Sequence, residues 1–132
     1  MENLEWRVQN ASLMNNQDLQ IRTKQFALQV IQFCERLPTD ETSRILRRQL
    51  LRAGTSVGAN YRAVCRAKSS ADFINKLRVV EEECDESLFW MELVVDNKLV
   101  KSSRLRELMK EGNEIVAIVV SSAKTARTSR DA

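Results

Sequence analysis

The chain has 132 residues, 43% hydrophobic and 30% charged, with 3 Gly, 1 Pro and no His, and a formal net charge of +3. That length suits one domain burying roughly 70% of the surface its unfolded chain exposes, and so few turn formers exclude a many-stranded sandwich or barrel in favour of long helices. The missing histidine removes the Ser-His-Asp triad, Cys-His nucleophiles, HExxH zinc sites and the Glu-x-x-His sites of di-iron bundles together.

Residues 1–17, with "NASLMNNQ" among them, keep no sustained period, and we expect a loosely ordered arm carrying Trp6 as a docking candidate. The N-terminus has neither a basic nor an apolar signal region. No apolar run approaches the ~20 residues of a membrane span, "IVAIVV" at 115–120 being among the longest. A soluble, cytoplasmic protein with no membrane partner is therefore expected. Cys34, Cys65 and Cys84 are odd in number and lack a CxxC pair, which points to reduced thiols rather than a disulfide framework or a zinc site.

From Asp18 to Arg36 the apolar positions Leu19, Phe26, Ala27, Val30, Ile31 and Cys34 follow a helical period, with Asp18 as N-cap, until Pro38 ends the run. "TDETSRILRRQLLRAG" starts a second helix, capped by Thr39, Asp40 or Thr42 and reaching about Ala67. On its wheel Leu46, Leu50, Ala53, Val57 and Val64 gather on one side. Arg44, Arg47, Arg48, Arg52, Arg62 and Arg66 occupy the other, and with Lys68 they place seven cations and no acid between residues 42 and 71. Gly54 and Gly58 beside the apolar face mark either a close backbone approach or a kink. Asn60 is expected to make an interhelical hydrogen bond.

"SSAD" opens a third helix with Ser69 or Ser70 as cap. Phe73, Leu77, Val80, Cys84, Leu88, Met91 and Val95 then step by three or four as a core seam. Asp72, Glu81, Glu82, Glu83, Asp85, Glu86, Glu92 and Asp96 stand against only Lys76 and Arg78. Neighbouring carboxylates point in different directions, and no facing helix offers a carboxylate in its seam, so a solvated or ion-paired face is preferred over a metal site. Phe89, Trp90 and Leu93 lie off the seam, leaving an apolar patch suited to an oligomer interface. After "DNK", a fourth helix capped by Ser102 or Ser103 carries Leu105, Leu108, Met109, Ile115, Ile118, Val119 and Ser122, with Gly112 as a weak point. The tail 127–132 is expected to fray. Four helices over 18–126 with short connections predict an all-α, up-down-up-down four-helix bundle.

Two functions compete for the arginine stripe. Arginines spaced along a helix engage successive phosphates, or the basic second helix and acidic third helix neutralise one another. The pI of about 8.9 is milder than that of a dedicated nucleic-acid domain, and Tyr61 is the lone aromatic inside the basic segment, which argues against single-strand stacking.

The stretches "TKQFALQVIQFCERLP", "GANYRAVCRAKSSADF" and "EEECDESLFWMEL" resemble the bacterial four-helix-bundle family encoded in intervening sequences of large-subunit ribosomal RNA genes, to which the accessory proteins of diversity-generating retroelements are related. The resemblance covers about residues 18 to 125, with signature positions at Arg47, Arg48, Ala59, Asn60, Arg62, Arg66, Lys68, Ser69, Asp72, Phe73 and Glu82. It implies a homopentameric ring with a central channel and no catalytic site, acting as an RNA- or DNA-binding accessory or as partner of a reverse transcriptase. Retroelement accessory proteins are more basic than this chain. The resulting expectation is a non-enzymatic homo-oligomer without cofactor or metal. It binds nucleic acid, structured RNA above all, through Arg44, Arg47, Arg48, Arg52, Arg62, Arg66, Lys68, Lys124 and Arg127. The alternative is a protein-interaction scaffold whose basic face is neutralised within the oligomer.

Overall fold

The computed structural model describes residues 16–131. These form helices α1 (Asn16–Cys34), α2 (Glu41–Val64), α3 (Ser70–Asp96) and α4 (Arg106–Asp131), with a short 3₁₀ turn at Ser102–Arg104 before α4 and no strand among them. Most of the expected N-terminal arm, Trp6 included, lies outside the described residues. Helix α1 begins at Asn16, so Asp18 sits in its first turn and is not the cap.

Local chemistry fixes most of the remaining ends. Asp40 caps α2, its carboxylate accepting from the Ser43 N–H at 3.2 Å and the Ser43 hydroxyl at 2.7 Å, and these bonds hold its carboxyl below the usual carboxylate range. Ser69 caps α3 by accepting from the Asp72 N–H. Helix α3 closes with Lys98 in the left-handed region at φ 59°, where the Leu99 N–H returns to the Val94 carbonyl at 3.1 Å, a Schellman turn that uses lysine in place of the usual glycine. Ser102 and Ser103, expected as caps of the fourth helix, lie instead in the 3₁₀ turn, which has no side-chain cap. Helix α4 continues through the tail to Asp131, because Ala123 and Ala126 are still buried and anchor its last turns.

Sequential helices pack closely, α1 on α2, α2 on α3 and α3 on α4, while α1 and α4 meet more loosely. Leu46, Leu50, Ala53, Val57 and Val64 of α2 meet Phe73, Leu77, Val80, Cys84, Leu88 and Met91 of α3 in one core, joined by Leu105, Leu108, Ile115 and Val119 from the last segment. On α1 the inward residues are Leu19, Thr23, Phe26, Val30, Phe33 and Cys34, with Ala27 and Ile31 half-buried. Thr23 is tolerated in the core because its hydroxyl donates to the Gln20 carbonyl at 3.2 Å. At the end of α3, Val94 rather than Val95 is buried.

The three glycines are contact points. A Cβ on Gly54 would stand 2.7 Å from Val30 Cγ1, one on Gly58 3.2 Å from the Thr23 carbonyl oxygen, and one on Gly112 2.9 Å from a Leu88 methyl. Close approach, and not a kink, explains Gly54 and Gly58, since α2 is continuous through both. The Asn60 amide donates to the Ser56 carbonyl one turn back at 2.8 Å. The interhelical bond expected there is replaced by a local one.

Cys34 and Cys84 are buried and Cys65 is exposed. Burial pushes the Cys34 and Cys84 thiols up to about 12, and the Cys84 thiol donates to the Gly112 carbonyl at 3.3 Å. Since the thiolate is the reactive form and burial raises the Cys65 thiol as well, native protein treated with a thiol reagent at mildly alkaline pH should be modified at exposed Cys65 first and slowly, with the other two reacting only after unfolding.

Candidate nucleic-acid interface

The core side of α2 fixes where its arginines point. With Leu46, Leu50, Ala53, Val57 and Val64 inward, Arg44, Arg48, Arg52, Arg62 and Arg66 are exposed on the opposite side. Their neighbours divide them. Arg44 faces Glu41 at 3.5 Å within its own helix, and Arg52 reaches across to α3, where it meets Glu83 at 3.5 Å and binds Glu86. Glu86 also accepts from the Trp90 indole N–H at 3.4 Å.

Arg47 is half-buried and turned toward α1. Its guanidinium donates to the carbonyls of Cys34 at 3.0 Å, Leu37 at 2.9 Å and Pro38 at 2.5 Å, satisfying acceptors that the C-terminus of α1 leaves open. The structure thus gives Arg47 a structural task and leaves it few donors for a ligand. Arg47→Ala should lower stability by about 1–2 kcal/mol, read in a thermal or urea melt. Arg47→Lys should recover little, because an ammonium cannot span three carbonyls as the planar fork does.

Arg48, Arg62, Arg66 and Lys68 make no ion pair among the described residues. For Arg62, Arg66 and Lys68 the nearest acid in sequence, Asp72, is already committed: it accepts from Lys76 Nζ at 2.6 Å and from the Lys68 backbone N–H at 3.0 Å. Those two bonds, the Lys76 contact foremost, hold its carboxyl below the usual range. The chain reverses at each connection, so the C-terminal ends of α2 and α4 lie at the same end of the bundle. That end gathers Arg62, Arg66 and Lys68 together with exposed Lys124 and half-buried Arg127. Arg130 there pairs with Asp131 at 3.5 Å. Tyr61 is buried, its hydroxyl donating to Asn16 Oδ1 at 3.0 Å, and offers no stacking platform.

The acidic residues of α3 do not converge, and no group of three or more metal-ligating side chains stands together among the described residues. Phe89 is 49% exposed and stacks edge-on against half-buried Trp90 with ring centroids 5.0 Å apart. Leu93, half-buried, lines a shallow pocket with Thr42 and Leu46 on the outer side of α2 and α3. Exposed Ile45 and Val79 add apolar surface from the same two helices.

A second surface escaped the sequence reading. Between α1 and α4 lies a cleft of about 600 Å³ walled by Gln25, Gln29, Gln32 and Arg36 on one side and by Arg104, Glu107, Lys110, Glu111 and Glu114 on the other, over Phe33 and Leu108. One end is closed by Arg22, which grips Glu111 with two bonds of 2.6 and 2.7 Å and lies 3.6 Å from Glu114. The signal was present as polar residues at 25, 29, 32 and 36, a four-three-four spacing on one face of α1.

The family model of the 23S rRNA-intervening sequence protein matches residues 16–121. Among solved structures, a protein with unknown function from the S23 ribosomal protein family of Bacteroides thetaiotaomicron is similar over 84% of this chain and 99% of its own, at 29% identity and a TM-score of 0.78. No curated protein matches.

Proposed function

The chain belongs to the 23S rRNA-intervening sequence protein family, and from that premise we propose that it is a non-enzymatic accessory protein that binds structured RNA through the basic end of its bundle. The observation that carries this reading is that Arg48, Arg62, Arg66 and Lys68 make no ion pair among the described residues, although the charge of Lys68 is felt by the nearby Asp72 carboxylate. Arg62, Arg66 and Lys68 stand together at that end, and their self-repulsion is relieved by a phosphate backbone; Arg48 extends the field from about 20 Å back along α2. Lys124 and Arg127 extend the same field from α4. Arg44 and Arg52 lie within the stripe but are largely answered by Glu41, Glu83 and Glu86, and they contribute less.

Self-association completes the reading. Phe89, Trp90 and Leu93 form the patch to be covered by another copy, in the homopentameric ring that the family resemblance implies, and a ring repeats the basic end five times. Repetition raises avidity for a folded RNA without any new contact. A reverse transcriptase or another protein, and DNA in place of RNA, are the further partners that the retroelement relation suggests. No helix among the described residues is long and apolar enough to cross a membrane.

The scaffold reading has one observation of its own, the Arg52 clamp on Glu83 and Glu86, which shows how a basic and an acidic helix can neutralise each other. Light scattering of the purified protein, followed by anisotropy with a labelled RNA hairpin and a DNA duplex of matched length, separates the two. An oligomer that binds the hairpin more tightly than the duplex supports the RNA reading. An oligomer that binds neither turns the assignment to a protein scaffold.

A further inference from the structure

The cleft between α1 and α4 is built unlike the rest of the surface. Its floor is apolar, with Phe33 and Leu108 each 8% exposed. Its walls are polar, and among the described residues the side chains of Gln25, Gln29, Gln32, Arg36, Arg104, Glu107 and Lys110 have no hydrogen-bond or ion-pair partner within the chain. Two of its three carboxylates, Glu111 and Glu114, are held by Arg22, so what remains open is three cations, one carboxylate and a row of amides. About 600 Å³ lies within the range of small-molecule sites.

These features narrow the ligand class. An apolar molecule would strip water from Arg36, Arg104, Lys110 and the glutamines without returning hydrogen bonds, which is costly. A cation would find Glu111 already gripped by a guanidinium. A phosphate backbone laid along the cleft would run against Glu107, whose carboxylate no cation among the described residues neutralises, so only one nucleotide unit can enter. What fits is a flat ring with a hydrogen-bonding edge, carrying one anionic group and a hydroxyl.

We infer that the cleft takes a single nucleotide unit, its base lying over Phe33 and Leu108 and its edge read by the glutamine amides of α1. Its phosphate lies against Arg36, Arg104 and Lys110, and a ribose hydroxyl donates to Glu107. Glutamine pairs with a base edge through both its amide donor and its carbonyl, and arginine grips phosphate with two parallel bonds. The nucleotide is either free in solution or an unpaired base of an RNA loop. The site uses different helices from Arg48, Arg62, Arg66 and Lys68, so it stands or falls apart from the basic end.

Calorimetric titration of the full chain with AMP, GMP, CMP, UMP and inorganic phosphate tests it, beside a hairpin with an unpaired loop and the same hairpin with abasic loop positions. Saturable binding of at least one mononucleotide, about tenfold or more tighter than phosphate, is expected. Gln29→Leu and Arg36→Gln should each weaken it about tenfold, while Arg62→Gln with Arg66→Gln leaves it unchanged. All these side chains are exposed, and a thermal melt of each variant verifies folding. Binding of the loop hairpin but not of free nucleotides, lost in the abasic hairpin and in the same two variants, supports the site and assigns the nucleotide to RNA. Phosphate binding as tightly as the nucleotides overturns the inference, as does insensitivity of all binding to Gln29→Leu and Arg36→Gln. No response from any ligand up to about 10 mM, a level that would reveal even very weak binding, also overturns it.

Discussion

Replacing Arg48, Arg62, Arg66 and Lys68 together by Gln should weaken binding to a structured RNA about a hundredfold at ~0.15 M salt. At even ~0.7 kcal/mol for each lost phosphate contact, four contacts amount to that factor. The fold should not register the change, because none of the four takes part in an ion pair among the described residues. The companion variant, Arg44→Gln with Arg52→Gln, should behave in the opposite way. It frees Glu83 and Glu86 from their cation, so RNA affinity falls only a few-fold while stability drops by at most about 1 kcal/mol, the usual worth of exposed pairs. Equal losses of affinity from both variants would mean that the whole helix is a diffuse electrostatic surface. A loss confined to the Arg44 and Arg52 variant would place the contact on the arginines that are paired in the fold and not on the unpaired ones.

The spacing of α1 and α2 provides the second large effect. Gly54→Ala puts a Cβ 2.7 Å from Val30 Cγ1, against a branched side chain that is itself fully buried. Overpacking of about 3 kcal/mol, offset by the ~1 kcal/mol gained when Ala replaces a helical Gly, leaves a net loss of about 2 kcal/mol. Val30→Ala alone should cost about 2 kcal/mol through the cavity it opens. The double variant lets the new methyl occupy that cavity, so its loss should be well below the ~4 kcal/mol of two independent changes. Urea melts of the four proteins give the coupling directly. Strict additivity would mean that Val30 does not set the interhelical distance.

Helix existence and the inward faces were legible because a period of three and four survives any tertiary detail: the α2 and α3 seams run through Leu46 to Val64 and Phe73 to Met91 as the spacing predicted. What periodicity cannot carry is the angle at which helices cross. Thr23, Phe33 and Tyr61 continue the same steps of three and four and could have been read from them, whereas after Met91 the spacing admits either Val94 or Val95 and only the packing turns Val94 to the core. The same blindness governed the arginines. Their common face was readable, but Arg47 is withdrawn by carbonyls across a chain reversal and Arg52 by acids thirty-odd positions away. Sequence alone weighed a free stripe against a neutralised one, and the structure contains both, divided along one helix. The cleft between α1 and α4 needed the fold to appear, since its two walls are the first and last helices of the described residues.

The central claim is that the unpaired cations Arg62, Arg66 and Lys68 at one end of the bundle, with Arg48 farther back along α2, contact RNA phosphates. Anisotropy of a fluorescent structured RNA titrated at ~50 and ~200 mM salt tests it most directly. Counterion release by roughly four cations predicts a slope of log affinity against log salt of about −3 to −4, and a much shallower slope in the quadruple Gln variant, where only flanking cations such as Lys124 and Arg127 remain. Binding that ignores salt, or no binding at the lower concentration, would contradict the account.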